Sequence, residues 1–255
     1  LATVADKYTF AQKIVRDAGG FLRQHLYDEL TVEVKSNFAD LVTHLDKEVQ
    51  TSMTQQILSA FPDDLIFGEE DENRAPIEKG NVWVIDPIDG TVNFIVQKTD
   101  FAVLLAYFED GVGLFGLIYD VTNDLLYHGG GEFPVLVNDE QLPFSTDKAF
   151  SQGLIGINAG LVEQNYAGLA NFSRQFLGTR SIGSAGLSFA HVLTQRLLVH
   201  TSYVYPWDYA AASILGQKLG YVLLNVNGEK PSFTGREHVV LIAKSKVNEM
   251  KRYLQ

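Results

Sequence analysis

Apolar side chains near the start of the chain recur three and four residues apart, so Phe10, Ile14, Phe21, Leu22, Leu26 and Leu30 share one face and predict a helix. Leu41, Leu45, Val49, Ile57 and Leu58 repeat that spacing and predict a second helix, which Phe61-Pro-Asp-Asp64 breaks. From there the pattern becomes that of strands. Apolar runs near 64–68, 82–86, 100–108, 112–119 and 124–128 are bounded by polar corners, and Glu109-Asp-Gly111 and Thr122-Asn-Asp124 read as the turns of antiparallel hairpins. The first half is expected to be helices packed on a mainly antiparallel sheet.

The polar stretch from Pro143 to Gln152 marks a crossover and divides the chain into an N-terminal α+β half, 1–145, and a C-terminal α/β half, 146–255. Beyond it, Leu154-Ile-Gly-Ile157 predicts a strand and Tyr166 to Phe176 a helix. Gly183-Ser184-Ala185-Gly186 forms a turn into a helix over 186–196, Trp207 to Leu219 makes another, and Val239 to Ala243 is a late buried strand. No internal repeat is visible. The alternation fits an α/β or α+β fold built in layers.

Composition narrows the setting. A chain of 255 residues, 46% hydrophobic and 20% charged, can bury a large core as one domain or two closely packed ones. The formal charge of -11 disfavours nucleic acid or an anionic membrane as partner, although a bound metal can reverse the sign locally. There is no cysteine, so disulfides, thiolate zinc sites and cysteine nucleophiles are excluded. The first residues lack a basic region followed by an apolar stretch, and Phe101 to Phe108 is too short to span a bilayer, so a cytoplasmic setting is expected. Asn171-Phe-Ser173 matches a glycosylation pattern by chance in that setting.

Candidate chemistry concentrates in Trp83-Val-Ile-Asp86-Pro-Ile-Asp89-Gly90-Thr91-Val-Asn93-Phe94, where two carboxylates leave the end of an apolar run and enter a Gly-Thr turn. Carboxylates this close repel each other, and a hard divalent cation such as Mg²⁺ held between them removes the conflict. Glu69 and Glu70 end another short apolar run, and Asp208 follows Trp207 at the start of a predicted helix. An acidic pair at a helix start is common for dipole reasons alone, so the weight rests on its company with Asp86 and Asp89. Gly111-Val-Gly113-Leu-Phe-Gly116 has dinucleotide-binding spacing but continues as a strand rather than opening a helix. Asp86 and Asp89 have two residues between them, where the phosphorylated loop of haloacid-dehalogenase-like phosphatases has one. The six histidines show no metal-ligand spacing and read as packing or surface residues.

In order along the chain, Asp40-Leu-Val42-Thr43-x-x-Asp46, Gly68-Glu69-Glu70, Asp86-Pro-Ile-Asp89-Gly90-Thr91 and Trp207-Asp208-x-Ala210-Ala211 resemble the inositol monophosphatase family of Mg²⁺-dependent, typically lithium-sensitive phosphatases. The resemblance runs from about residue 35 to residue 220 and implies a layered αβαβα sandwich of the sugar-phosphatase type. It implies that Glu69, Asp86 and the Ile88 carbonyl hold one Mg²⁺ and that Asp86, Asp89 and Asp208 hold a second, with Glu69 touching a third through water and Glu70 supporting the ligands. Mn²⁺ is the expected substitute and Li⁺ the expected inhibitor. Thr91 and Asp46 would activate the attacking water, with in-line attack and no phosphoenzyme; Gly90 and Thr91 would offer N–H groups to the phosphate. Gly183, Ser184 and Ala185, together with Asp208, would face the substrate.

The family's substrates include inositol phosphates, fructose 1,6-bisphosphate, nucleotide bisphosphates and NADP, so the motifs name the reaction and not the alcohol. Enzymes selective for inositol usually carry an acidic residue shortly before the Trp-Asp pair, and Thr201 to Pro206 has none. The chain also departs from the family at Ala211-Ala212-Ser213 and at Lys218-Leu219-Gly220-Tyr221, without touching a proposed ligand. A small phosphorylated substrate and a homodimer are expected. A regulatory interaction protein on the same fold is the more distant alternative.

Overall fold

Side-chain alternation along the strands decides how the layers stack. In the computed structural model, which describes residues 2–35, 41–72 and 74–254, the chain begins with α1 (Val4–Gln24), a short hairpin of β1 (Val32–Val34) and β2 (Leu41–Thr43), and α2 (His44–Ala60). A seven-stranded sheet follows: β3 (Leu65–Gly68), β4 (Asn81–Asp89), β5 (Ala102–Glu109), β6 (Val112–Asp120), β7 (Leu125–Gly130), β8 (Phe133–Val137) and β9 (Glu140–Gln141), in that spatial order, with α3 (Thr91–Val96) after β4. Only the β3–β4 pair is parallel in this sheet. The remainder comprises β10 (Leu154–Ile157), α4 (Ala159–Glu163), α5 (Leu169–Ser173), β11 (Gly178–Arg180), α6 (Ala185–Leu193), β12 (Val199–Val204), α7 (Pro206–Lys218), β13 (Tyr221–Asn225), β14 (Glu237–Ala243) and α8 (Val247–Met250). Its five strands order as β11-β10-β12-β14-β13.

On β5, Val103, Leu105 and Tyr107 point into a core shared with α1 and α2, while Ala102, Leu104, Ala106 and Phe108 point into one shared with α6 and α7. On β14, Val239, Leu241 and Ala243 face that same middle core, and Val240 and Ile242 face a third, against α5 and α8. The layers thus run helices, sheet, helices, sheet, helices, as expected. A buried pair ties the outermost helix to the first sheet: Lys7 Nζ donates to Asp64 Oδ2 at 2.6 Å and to Tyr107 Oη at 2.6 Å, and Trp83 Nε1 donates to the same carboxylate.

The structure redraws several predicted elements. The second helix starts at His44, because Leu41–Thr43 pairs antiparallel with Val32–Val34. The helix expected over 166–176 is interrupted, since Ala167 and Gly168 take positive φ of 49° and 82° and leave α5 only Leu169–Ser173. Strand β12 has no apolar alternation because His200, Thr201 and Ser202 are buried within it. Among the described residues no helix is long and apolar enough to cross a membrane.

The glycine pattern at 111–116 has a packing role. A methyl group on Gly116 would lie 2.6 Å from the Ala211 carbonyl oxygen, and one on Gly113 would strike Ile214 at 2.5 Å, so these positions of β6 let α7 lie directly on the sheet. Gly116→Ala should therefore destabilise the fold by about 1–3 kcal/mol, as overpacking against backbone does. Urea unfolding measures this, and a wild-type midpoint would show that α7 does not need the close approach.

Candidate active site

Asp86 and Asp89 sit three residues apart on β4, a spacing that would put them on opposite faces of a regular strand. The register to β5 corrects this: Asp86 pairs with Leu104 and Asp89 with Ala102, so β4 spends one extra residue between them. That bulge, which contains the ladder-breaking Pro87, turns both carboxylates toward the face where Leu104 and Ala102 meet α6 and α7, while Ile88 packs on the other face. Gly90 then takes φ +91°, and α3 begins at Thr91.

Helix α7 delivers the third acid. Pro206 starts the helix, and Asp208 accepts the Tyr205 N–H through Oδ2 at 2.7 Å, half of a capping arrangement that holds the carboxylate in place. One carboxylate oxygen from each of Asp86, Asp89 and Asp208 lies within 4.8 Å of the others, a group able to hold a metal ion.

Each acid is held differently. Asp89 accepts the Gly186 N–H at 2.8 Å, the Ala185 N–H at 3.0 Å and the Ser184 hydroxyl, so the N-cap and first turn of α6 clamp it. Among the described residues Asp86 accepts one hydrogen bond, from the Ile88 N–H at 3.1 Å, and its buried Oδ2 has no hydrogen-bond donor. Burial, followed by the charges of Glu69, Asp89 and Asp208, pushes the Asp86 pKa well up. Burial and then Asp89 and Glu69 do the same to Asp208, whereas the donors around Asp89 limit its burial-driven rise to about 6.

Glu69 and Glu70 lie just after β3, and a residue not singled out by sequence joins them. Lys35 Nζ donates to Glu69 Oε1 at 2.8 Å and to Glu70 Oε1 at 2.5 Å. Burial works against the ammonium charge, but the two glutamates outweigh it and raise the Lys35 pKa. Burial, then the Glu69 charge, raises that of Glu70. A lysine this far upstream carries no local signal of that contact. Asp40 lies outside the described residues.

Asp46 occupies the first turn of α2, where it closes a capping box: Oδ2 accepts the Thr43 N–H at 2.8 Å and the Thr43 hydroxyl at 2.6 Å. Its Oδ1 faces Thr91 Oγ1 at 3.2 Å, and the Thr91 hydroxyl can alternatively donate to the Ile88 carbonyl at 3.0 Å. The neighbouring Lys47 pairs with Glu33 at 2.6 Å. Burial, offset by Thr43, pushes the Asp46 pKa up to about 6.

A cavity of about 230 Å³ opens from Asp89 and Asp208. Gly183, Ser184 and Ala185 line it, together with Asn158, Ser202, Tyr203, Tyr205 and Arg236. His200 also lines it, kept neutral by burial that lowers its pKa to about 3. Asn158, Ser202, Tyr203, Tyr205 and Arg236 were not identified by sequence reasoning, because they come from a strand and loops with no motif.

A family model described as the inositol monophosphatase family matches residues 4–254. The inositol-1-monophosphatase of Bacillus subtilis (strain 168) is 37% identical over 245 residues, 94% of this chain and 92% of that one. The fructose-1,6-bisphosphatase/inositol-1-monophosphatase of Thermotoga maritima is 31% identical over 230 residues, 88% of this chain and 87% of that one. Among solved structures, inositol monophosphatase-II from Staphylococcus aureus MSSA476 superposes with a TM-score of 0.87 at 29% identity, covering 97% of this chain and 95% of that one. With the acidic cluster, the layered sheets and a whole-chain match in agreement, this protein belongs to the inositol monophosphatase family and is a phosphatase that hydrolyses phosphomonoesters.

Proposed function

We propose that this chain is a Mg²⁺-dependent phosphatase of a small phosphorylated polyol or sugar, with Asp86 at the centre of its metal site. The observation that carries this reading is the buried Oδ2 of Asp86, which has no hydrogen-bond donor among the described residues and lies beside the carboxylates of Asp89 and Asp208. An oxygen-only donor set of this kind suits Mg²⁺. Asp86, Asp89 and Asp208 would hold one ion; Asp86 with Glu69 and the Ile88 carbonyl would hold another, and Glu70 would steady Glu69 through Lys35. Mg²⁺ supplies neutralisation of the phosphate, a more acidic water and stabilisation of the leaving oxygen.

The chain's own residues set the rest of the chemistry. The attacking water donates to Thr91 Oγ1, and Thr91 donates to Asp46 Oδ1, so the water's proton passes toward a carboxylate whose pKa near 6 lets it act as a base at neutral pH. Thr43 fixes the far oxygen of Asp46 and keeps its near oxygen on Thr91. Gly90 and Thr91 present N–H groups at the open first turn of α3, where phosphate oxygens are accepted without a side chain in the way. The leaving alcohol would lie along Gly183–Ala185. A homodimer and inhibition by Li⁺ belong to the same reading. The activity is tested by Mg²⁺-dependent phosphate release from inositol 1-phosphate, fructose 1,6-bisphosphate, adenosine 3′,5′-bisphosphate and NADP; no release from any would sink it.

Three outcomes separate the roles. Asp86→Asn should abolish turnover and also the rise in melting temperature that Mg²⁺ produces, because it removes a ligand shared by both ions; full turnover at limiting Mg²⁺ would refute the sharing. Asp46→Asn should keep the Mg²⁺-induced thermal shift while kcat falls by about 10²–10⁴, and an unchanged kcat would remove Asp46 from the proton path. The third outcome concerns pH. Because the folded-state pKa values of Asp86, Asp89 and Asp208 are raised, the metal-free protein is destabilised by ionising these groups, an effect absent below their unfolded pKa and complete above the folded values. The Mg²⁺-induced thermal shift should therefore grow between pH 5 and pH 8; a shift independent of pH would count against binding at these acids.

A further inference from the structure

Away from the acids, a groove where the last turns of α7 meet β6 and the loop between β13 and β14 gathers basic side chains. Two adjoining cavities of about 510 and 630 Å³ share Ile214, Gln217, Lys230 and Lys244, and neither shares a lining residue with the cavity at Asp89 and Asp208. Phe108, Leu223 and Phe233 line the first lobe, and Lys218 lines the second. Lys218 ends α7, roughly 15 Å along the helix from Asp208.

Exposed lysines are common, and Lys218 alone would be accounted for by the negative end of α7. Lys230 and Lys244 lie outside that helix. The chain has 31 acidic against 20 basic residues, and Lys246, close to Lys244 in sequence, pairs with both Asp147 and Glu249. Lys218, Lys230 and Lys244 instead form no ion pair among the described residues. Glu78 is the one carboxylate in the combined lining. Positive charges collected in one concavity repel each other, and an anion held among them removes that conflict.

The groove is also fixed in shape. Lys218 Nζ donates to the Gly131 carbonyl at 2.8 Å, and the Lys244 N–H donates to the Gly220 carbonyl just past α7 at 3.0 Å. Lys230 leads into Pro231-Ser232-Phe233, where Phe233 takes φ +56°, a backbone conformation that persists on a bulky residue only where its surroundings impose it. The ring edges of Phe108 and Tyr209 hold Phe233, with centres 5.7 and 5.0 Å away. The Ser232 N–H and hydroxyl donate to Glu237 at 2.8 and 3.1 Å.

We propose that this groove binds a nucleoside diphosphate, with its ring system in the lobe of Phe108 and Phe233 and its phosphates among Lys218, Lys230 and Lys244. An apolar lobe continuous with a basic one fits a ligand that is apolar at one end and carries linked phosphates at the other. Inorganic phosphate would leave the first lobe empty, and a polynucleotide would have to lie along a chain of net charge -11.

Binding is measured by isothermal titration of the metal-free protein in EDTA, where the carboxylates of Asp86, Asp89 and Asp208 repel phosphate from the catalytic cavity. ADP or UDP should bind saturably, one per chain, and about tenfold or more tightly than pyrophosphate or adenosine. Replacing Lys218, Lys230 and Lys244 together by Gln should weaken that binding about tenfold or more without lowering the melting temperature, because all three side chains are exposed. Gln217→Glu, at an exposed position in both lobes, should weaken it similarly by adding negative charge. Asp86→Asn should bind ADP as the wild type does. No saturable binding of either nucleotide, or binding that survives both groove variants, overturns the site, as does binding lost in Asp86→Asn. Pyrophosphate binding as tightly as the nucleotides overturns the assignment of a nucleoside to the apolar lobe.

Discussion

Mutual repulsion among buried carboxylates is the constraint around which this molecule is organised. Asp86, Asp89 and Asp208 converge within 4.8 Å, and Asp86 and Asp89 are almost wholly buried. Left to themselves such groups protonate or separate. The fold opposes separation by giving each acid a tether of its own: a clamp of two backbone N–H groups and a hydroxyl on Asp89, and a helix cap on Asp208. Among the described residues Asp86 has one N–H donor and a buried oxygen with none. The tethers thin out toward the point where a cation would do most, which is why Asp86 stands at the centre of the proposed site.

That geometry depends on contacts well away from the acids. The bulge in β4 selects the face, and the glycines of β6 let α7 come close enough for Asp208 to reach it. The turn that starts α6 supplies the donors to Asp89, so the site is assembled from a strand, two helix starts and the packing of the layer between the sheets. Repulsion at the site is balanced by apolar burial on both sides of that layer, and not by any single interaction among the acids.

Much of this was legible in the sequence because the chemistry is local there. Asp86, Asp89, Gly90 and Thr91 are nearly contiguous, and the hairpin corners of the first sheet are marked by their turn residues. What escaped was non-local or polar. Lys35 finds Glu69 and Glu70 only through the fold. Strand β12 was invisible because its buried residues include His200, Thr201 and Ser202, two of which line the cavity, and a strand that serves a polar cavity loses the alternation by which strands are recognised. Leu41–Thr43 read as helix because the strand that pairs with it, Val32–Val34, is short and exposed and offers no pattern of its own. The glycine pattern of β6 continues as a strand, as its sequence context predicts, yet its packing purpose depended on a helix nearly a hundred residues later.

The distribution of cations follows from the same electrostatics. A phosphate must enter a pocket whose floor is acidic on a chain of net charge -11, so unpaired basic groups near the scissile position would either be drawn to the acids or compete with metal for them. Lys35 shows the first case, captured by Glu69 and Glu70 at the rim. Arg236 stacks on Tyr203 and Tyr205 and forms no ion pair with a carboxylate among the described residues, although its charge still acts on Asp208 and offsets part of the rise in that group's pKa. An aromatic seat therefore does what the surrounding acids would otherwise prevent: it keeps a positive charge available in an acidic cavity instead of consuming it in an ion pair.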